Sequence, residues 1–176
     1  MHVTRHPVIR HRFHQAFCRC FLLLTILVPA SGGASAATPL CLPVHARIAA
    51  SFVAEGCSSP VGLCTVGTIT EGGLLNGSTR FTALAAAPAA GMYGVEADST
   101  LSYNGELIIT TRQGVLEISD VGVFDQFAGK FTELDRVIGG TGMFANASGV
   151  LFISGDAYAD GSGFDGRISG ELCLVK

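Results

Sequence analysis

One acidic residue, Asp120, interrupts the apolar face of a predicted strand. Leu116, Ile118 and Asp120 are spaced two residues apart, so their side chains share one face of the strand. A carboxyl group on such a face must be paired or must shift its pKa, and groups of this kind are common at functional sites. Asp120 is therefore the candidate catalytic residue, with Arg112 or Arg136 as its partner. The alternative is that Asp120 caps a bulge at the end of the strand.

Two tyrosines, Tyr103 and Tyr158, are further candidates for ligand contacts, since each hydroxyl could face a ligand or simply belong to the wall of the fold. A glycosidase needs two facing carboxylates. No spacing singles out such a pair among the acidic candidates Asp120, Asp125 and Asp135.

The first 36 residues have the parts of a secretory signal. Residues 1–19 hold four Arg and four His and no acidic residue, and an apolar run of about ten residues follows. Ala34-Ser35-Ala36 matches an A-x-A cleavage site. The apolar run is about half as long as a membrane-spanning helix requires. We therefore expect a secreted or periplasmic protein without a stable membrane anchor.

The remaining residues, 37–176, are acidic. Five Arg and two Lys stand against 14 acidic residues, which gives a formal charge of about −7. No basic patch is available to neutralise phosphates, so nucleic acid is not an expected partner.

Four cysteines remain after residue 36, and an even number in an exported domain indicates two disulfides. Of the three connectivities that four cysteines allow, we favour Cys57–Cys64 across a short loop and Cys41–Cys173 between the two ends. A metal site is the alternative, but paired CxxC spacing is absent and His45 is the single remaining histidine. No metal is therefore expected, and a histidine-dependent hydrolase triad is equally unsupported.

Short apolar or alternating runs, separated by Gly, Asn and Asp, continue to the end of the chain. The last run shows a period of two most clearly, because Phe164, Ile168 and Leu172 share one face while polar residues occupy the other. About eight such runs, with turn signals roughly every 8–12 residues, indicate a β-sandwich or β-barrel. Asn104-Gly105, between two of the runs, is the strongest hairpin signal.

The most specific motif is a glycine-rich turn at Gly139, Gly140, Thr141 and Gly142. Its glycines permit positive φ angles and a close approach between two strands. A phosphate-binding loop would need a following lysine or a βαβ context, and neither is found here, so the motif is interpreted as a structural turn.

The longer segment Val137–Gly149 resembles the G-G-T-G-x-F-x-x-A-x-G signature of the allene oxide cyclase-like and dirigent-like barrel superfamily. The segments Asp120–Asp125 and Phe164–Cys173 also resemble exported bacterial members of that superfamily. The resemblance covers roughly Ser99–Lys176, with weaker support from Cys57–Phe81.

The resemblance implies an all-β, Gly-rich fold: an eight-stranded antiparallel β-barrel with an apolar central cavity. The expected organisation is a signal peptide at 1–36, an N-terminal segment and first strand at 37–56, and the barrel at 57–176. Members of the superfamily are often trimeric, which leaves a homotrimer open. In the plant members the cavity steers cyclisation or radical coupling of a lipophilic substrate without a bound cofactor, so no cofactor is expected.

Three functions remain in competition. The first is an exported barrel that binds a small lipophilic ligand in its central cavity. The second is a cofactor-free, dirigent- or cyclase-like catalyst that works by positioning its substrate. The third is a structural or interaction protein whose barrel is filled by its own Phe and Leu side chains. The interior volume separates the third function from the first two.

Overall fold

The computed structural model describes residues 38–89 and 99–175, so the predicted signal sequence at 1–36 lies outside the described residues. The described residues form eight strands: β1 Leu40–Phe52, β2 Cys64–Thr70, β3 Gly77–Pro88, β4 Thr100–Thr111, β5 Gly114–Asp125, β6 Lys130–Gly140, β7 Ser148–Ala157 and β8 Gly163–Leu174. Consecutive strands pair antiparallel, and β8 pairs with β1 to close the sheet. The predicted eight-stranded antiparallel barrel is confirmed. Within these residues no helix is both long enough and apolar enough to span a membrane.

The two ends of the barrel differ in how they are filled. The connections β2–β3, β4–β5 and β6–β7 lie at one end, here called the closed end, because antiparallel neighbours alternate in direction. Two short 3-10 turns, Gly73–Leu75 and Gly142–Phe144, lie in these connections. Their side chains Leu75 and Phe144 are completely buried in the core. The opposite end, here called the open end, carries the connections β1–β2, β5–β6 and β7–β8.

The glycine-rich motif forms part of the closed end. Gly139 and Gly140 end β6, and Gly142 begins the second 3-10 turn. Thr141 pairs with Val115 through its backbone N–H and through its hydroxyl, which accepts a hydrogen bond from the Val115 N–H at 3.1 Å. Gly142 has a φ of +60°, and a Cβ there would lie 2.2 Å from a carbonyl oxygen of the β4–β5 turn. Glycine is therefore required where these two turns meet.

The predicted hairpin at Asn104-Gly105 is wrong, because β4 runs through both residues without a turn. Gly105 instead gives space to the aromatic ring of Phe81 on β3, since a Cβ at that position would lie 2.5 Å from the ring. The neighbouring β3 strand carries a bulge between Ala83 and Ala85 at the same level. Long-range packing has overridden the local turn preference, as glycines within strands often indicate.

Both favoured disulfides are found. Cys41 and Cys173 face each other in the β1–β8 pair at the closed end of the barrel, and Cys57–Cys64 closes the short loop before β2. The first links residues 132 apart and the second links residues seven apart.

The two disulfides should differ in their effect on stability, because a longer closed loop restrains the unfolded chain more. Replacing both Cys41 and Cys173 with Ser is expected to lower the free energy of unfolding by about 5 kcal/mol, against about 2 kcal/mol for the Cys57 and Cys64 pair. Urea unfolding of the two double variants tests this order. A larger loss from the Cys57–Cys64 pair would show that loop length does not govern the stabilisation.

Candidate functional site

A cavity of about 200 Å³ lies inside the open end of the barrel. It is lined mostly by inward-facing apolar side chains, among them Ile48, Phe81, Leu107, Phe131, Ile153 and Phe164. Phe52 also lines it and is 42% exposed, so the cavity meets solvent at its rim. The barrel is therefore not completely filled by its own side chains.

Three carboxyl groups converge at the inner end of this cavity. Asp120 on β5 lies directly opposite Asp135 on β6 in the strand register, and both are buried, with exposed fractions of 3% and 0%. Glu133 lies two residues from Asp135 on the same inward face of β6 and lines the cavity together with Asp120. One carboxyl oxygen from each of the three lies within 4.8 Å of the others.

Tyr103 connects this carboxyl cluster (Asp120, Glu133 and Asp135), which lies on β5 and β6, to the neighbouring strand β4. Its hydroxyl donates a hydrogen bond to Glu133 Oε1 at 2.6 Å, although the two residues lie on strands β4 and β6. The ring passes over Gly122 on the intervening strand β5, where a Cβ would lie 2.5 Å from the ring. A glycine at position 122 is what allows the tyrosine to reach across β5.

The buried aspartates have no hydrogen-bond donor of their own. None of the four carboxyl oxygens of Asp120 and Asp135 has a partner when both groups are ionised. A carboxyl group becomes a donor only when it is protonated, so one proton held between Asp120 and Asp135 would give each of them one hydrogen bond. The geometry of the pair therefore favours a protonated state.

Burial also favours the protonated forms of the acidic groups. Desolvation, followed by the negative charge of Asp135, raises the pKa of Asp120. Desolvation and the charge of Glu133 likewise raise the pKa of Asp135. Burial and the charge of Asp120 raise the pKa of Glu133 to about 8, even though the Tyr103 hydrogen bond works against this shift. Desolvation and the charge of Glu133 also raise the pKa of Tyr103. Burial and mutual repulsion therefore both favour the protonated forms of these groups.

Three of the residues considered from the sequence lie away from the cluster. Arg112 and Arg136 are exposed, and neither has an ion pair with Asp120 among the described residues, so the predicted arginine partner for Asp120 is wrong. Arg136 follows the inward Asp135 and therefore points outward, because successive strand residues alternate between faces. Tyr158 follows β7 and is 38% exposed.

Sequence reasoning missed Glu133 and did not connect Asp135 with Asp120. A signal for both is the alternation of Phe131, Glu133, Asp135 and Val137, in which two acids share a face with two apolar residues. Asp125, the other acid considered, lies at the end of β5, where its Oδ1 accepts backbone hydrogen bonds from Phe127 and Ala128. It therefore caps a turn and takes no part in the cluster.

The carboxyl cluster could accept a proton, a metal ion or an ammonium group, since all three compensate negative charge. A second group of potential ligands, Cys41, Glu171 and Cys173, lies at the closed end. Its two sulfurs form a disulfide and offer no thiolate to a metal.

The chain matches no model of a known protein family and no curated protein. Its functional interpretation therefore depends on the cavity and on the carboxyl cluster at its inner end.

The raised pKa values predict that stability falls as the pH rises. Carboxyl groups in the unfolded chain titrate near pH 4, so between about pH 4 and pH 8 the folded protein binds more protons than the unfolded chain. The stability that the cluster contributes is present at low pH and is lost as the pH rises through the pKa values of these groups in the folded protein. The loss is up to about 1.4 kcal/mol per pH unit for each proton retained.

Urea unfolding at pH 5 and pH 8 measures this effect. Asp135→Asn should reduce the loss of stability between the two pH values, because it removes one titrating group and supplies a neutral partner to Asp120. Asp165→Asn, at an exposed position on β8, is the matched control and should keep the wild-type dependence. An unchanged pH dependence in Asp135→Asn would show that the cluster does not retain protons.

Proposed function

We propose that the protein is an exported barrel that binds a small lipophilic molecule in the cavity at its open end. The observation that carries this proposal is the cavity itself, about 200 Å³ of mostly apolar space inside a closed sheet. Small eight-stranded barrels have room for one small ligand, and ligand sites are typically apolar with a few placed polar groups. Asp120, Glu133 and Tyr103 would be those polar groups.

Two further observations support the proposed setting. The two disulfides are typical of proteins that fold in oxidising compartments, which supports secretion or a periplasmic location. The resemblance of Val137–Gly149 to the allene oxide cyclase-like and dirigent-like superfamily supports a cavity for a lipophilic molecule. The cavity also argues against the third function, in which the barrel is packed shut by its own side chains.

A catalytic role is the second candidate, and the carboxyl cluster is the specific observation that favours it. Protonated carboxyl groups that line an apolar cavity are suited to donate a proton to a bound molecule. An isomerisation or cyclisation needs one proton donated and one removed, so it would balance without a cofactor or co-reactant. Asp120 would be the donor because it lines the cavity and lies opposite the fully buried Asp135 in the strand register.

Ligand binding should depend on open space in the cavity. Ala86 and Ala87 on β3 are both exposed, but only Ala86 lines the cavity. Ala86→Phe is expected to weaken binding at least tenfold by filling part of the cavity, and Ala87→Phe is expected to leave it unchanged. Native mass spectrometry of the oxidised protein, after incubation with a lipophilic extract of its host, detects bound ligand as a discrete added mass. A wild-type spectrum without added mass, or equal binding by both variants, would contradict the proposal.

Catalysis should depend on the acidic proton of Asp120. The same extract, incubated with the protein and analysed by chromatography, would contain a compound that the wild type converts to an isomer of equal mass. Asp120→Asn is expected to slow this conversion at least about 100-fold, because it removes a positioned general acid. The exposed control Asp165→Asn should keep the wild-type rate. Conversion at the wild-type rate by Asp120→Asn would leave Asp120 without a catalytic role.

A further inference from the structure

Among the residues that the structure describes, three acidic side chains and no basic one lie at the inner end of the cavity. The titratable groups that face this point are Tyr103 from β4, Asp120 from β5, and Glu133 and Asp135 from β6. Every Lys, Arg and His among residues 38–89 and 99–175 is exposed. A ligand with a negative head group would therefore meet only like charges or neutral acids, and a positive head group would meet uncompensated acceptors.

The carboxyl oxygens of the two aspartates are available to accept hydrogen bonds from a ligand. All four oxygens of Asp120 and Asp135 lack a donor, although both side chains are more than nine-tenths buried. A primary ammonium group carries three N–H donors. Oxygens placed about 2.8 Å from its nitrogen along tetrahedral directions would lie about 4.6 Å apart. The three carboxyl oxygens here lie no more than 4.8 Å from one another. One nitrogen can therefore lie within about 2.8 Å of all three, with one N–H donor for each carboxyl group.

The cavity beside the cluster favours an ammonium group over a metal ion. A hard divalent cation needs six or more oxygen ligands and usually retains water, whereas the neighbouring side chains include Leu107, Phe131 and Ile153, which offer no ligand atoms. An organic amine would use the carboxylates for its charged end and the apolar wall for the remainder. We propose that the cavity binds a small primary ammonium ion with an apolar substituent, held by Asp120, Glu133 and Asp135. This inference rests on the proposed function and specifies the chemical class of its ligand.

The proton balance of such binding is distinctive. In the free protein, protons on the carboxyl groups offset their mutual repulsion. When the ammonium ion enters, its single positive charge can replace that of one proton, and the carboxyl group that ionises releases this proton to the solvent. A neutral ligand of the same shape leaves those protons in place. Proton release is therefore a readout that simple filling of an apolar cavity would not produce.

Isothermal titration calorimetry of the oxidised protein at pH 7 tests this inference with three probes of similar shape: 2-phenylethylamine, 2-phenylethanol and 3-phenylpropionate. The amine is expected to bind at least tenfold more tightly than the alcohol, and the carboxylate is expected not to bind. Repeating the amine titration in two buffers with different ionisation enthalpies should show net proton release. Asp135→Asn should weaken amine binding at least tenfold while leaving alcohol binding within about twofold. Glu106→Gln, at an exposed position on β4, should match the wild type.

Three outcomes would overturn the inference, and they are distinguishable. Equal affinity for the amine and the alcohol in the wild type would refute the ammonium site and leave the proposed lipophilic cavity intact. Binding of Ca²⁺ that depends on Asp135, without binding of the amine, would assign the cluster to a metal ion. Failure of all three probes to bind would refute both the ammonium site and the proposed function. The probe comparison needs only the wild-type protein, so it stands even if a variant does not fold.

Discussion

Closure of the sheet by the pairing of β1 with β8 is the constraint on which the other features depend. This pairing runs from Leu40 opposite Leu174 to Ser51 opposite Gly163, and it leaves no free sheet edge. In a closed sheet, one of the two faces of every strand must point inward. An acidic residue at an inward position is then enclosed by the opposite wall, as Asp120 and Asp135 are.

The interior is divided between packing and open space. Leu75 and Phe144, supplied by the two 3-10 turns, fill the closed end, and the cavity occupies the open end. The carboxyl cluster lies between these regions. Buried carboxyl groups without donors destabilise a fold unless they are neutralised, and apolar residues of similar size would pack there at lower cost. Barrel stability therefore gives no reason for the cluster, whereas a ligand in the adjoining cavity does.

The sequence was sufficient for features that depend on local alternation. The period of two placed Asp120 inside the barrel, and the spacing of the cysteines favoured the two disulfides that are found. The sequence was insufficient where the pairing between strands determines the structure. Asp120 lies opposite Asp135 because the β5–β6 turn sets Asp125 opposite Lys130, and the alternation within either strand does not reveal that register. Asn104-Gly105 has a strong turn preference, but pairing with β3 on one side and β5 on the other holds it in a strand.

The catalytic and ammonium-binding proposals require different protonation states of the carboxyl cluster. A general acid must hold its proton until the substrate takes it, whereas an ammonium ligand requires one carboxyl group of the cluster to ionise. Because the groups repel one another when charged, the charge of the ligand itself determines which state is stable. A neutral lipophilic molecule would leave the acids protonated beside it, and a cation would displace one of their protons. An anion finds no compensating charge in either state. The cavity would therefore select its ligands by charge as well as by size, because no basic side chain within residues 38–89 and 99–175 faces the cluster.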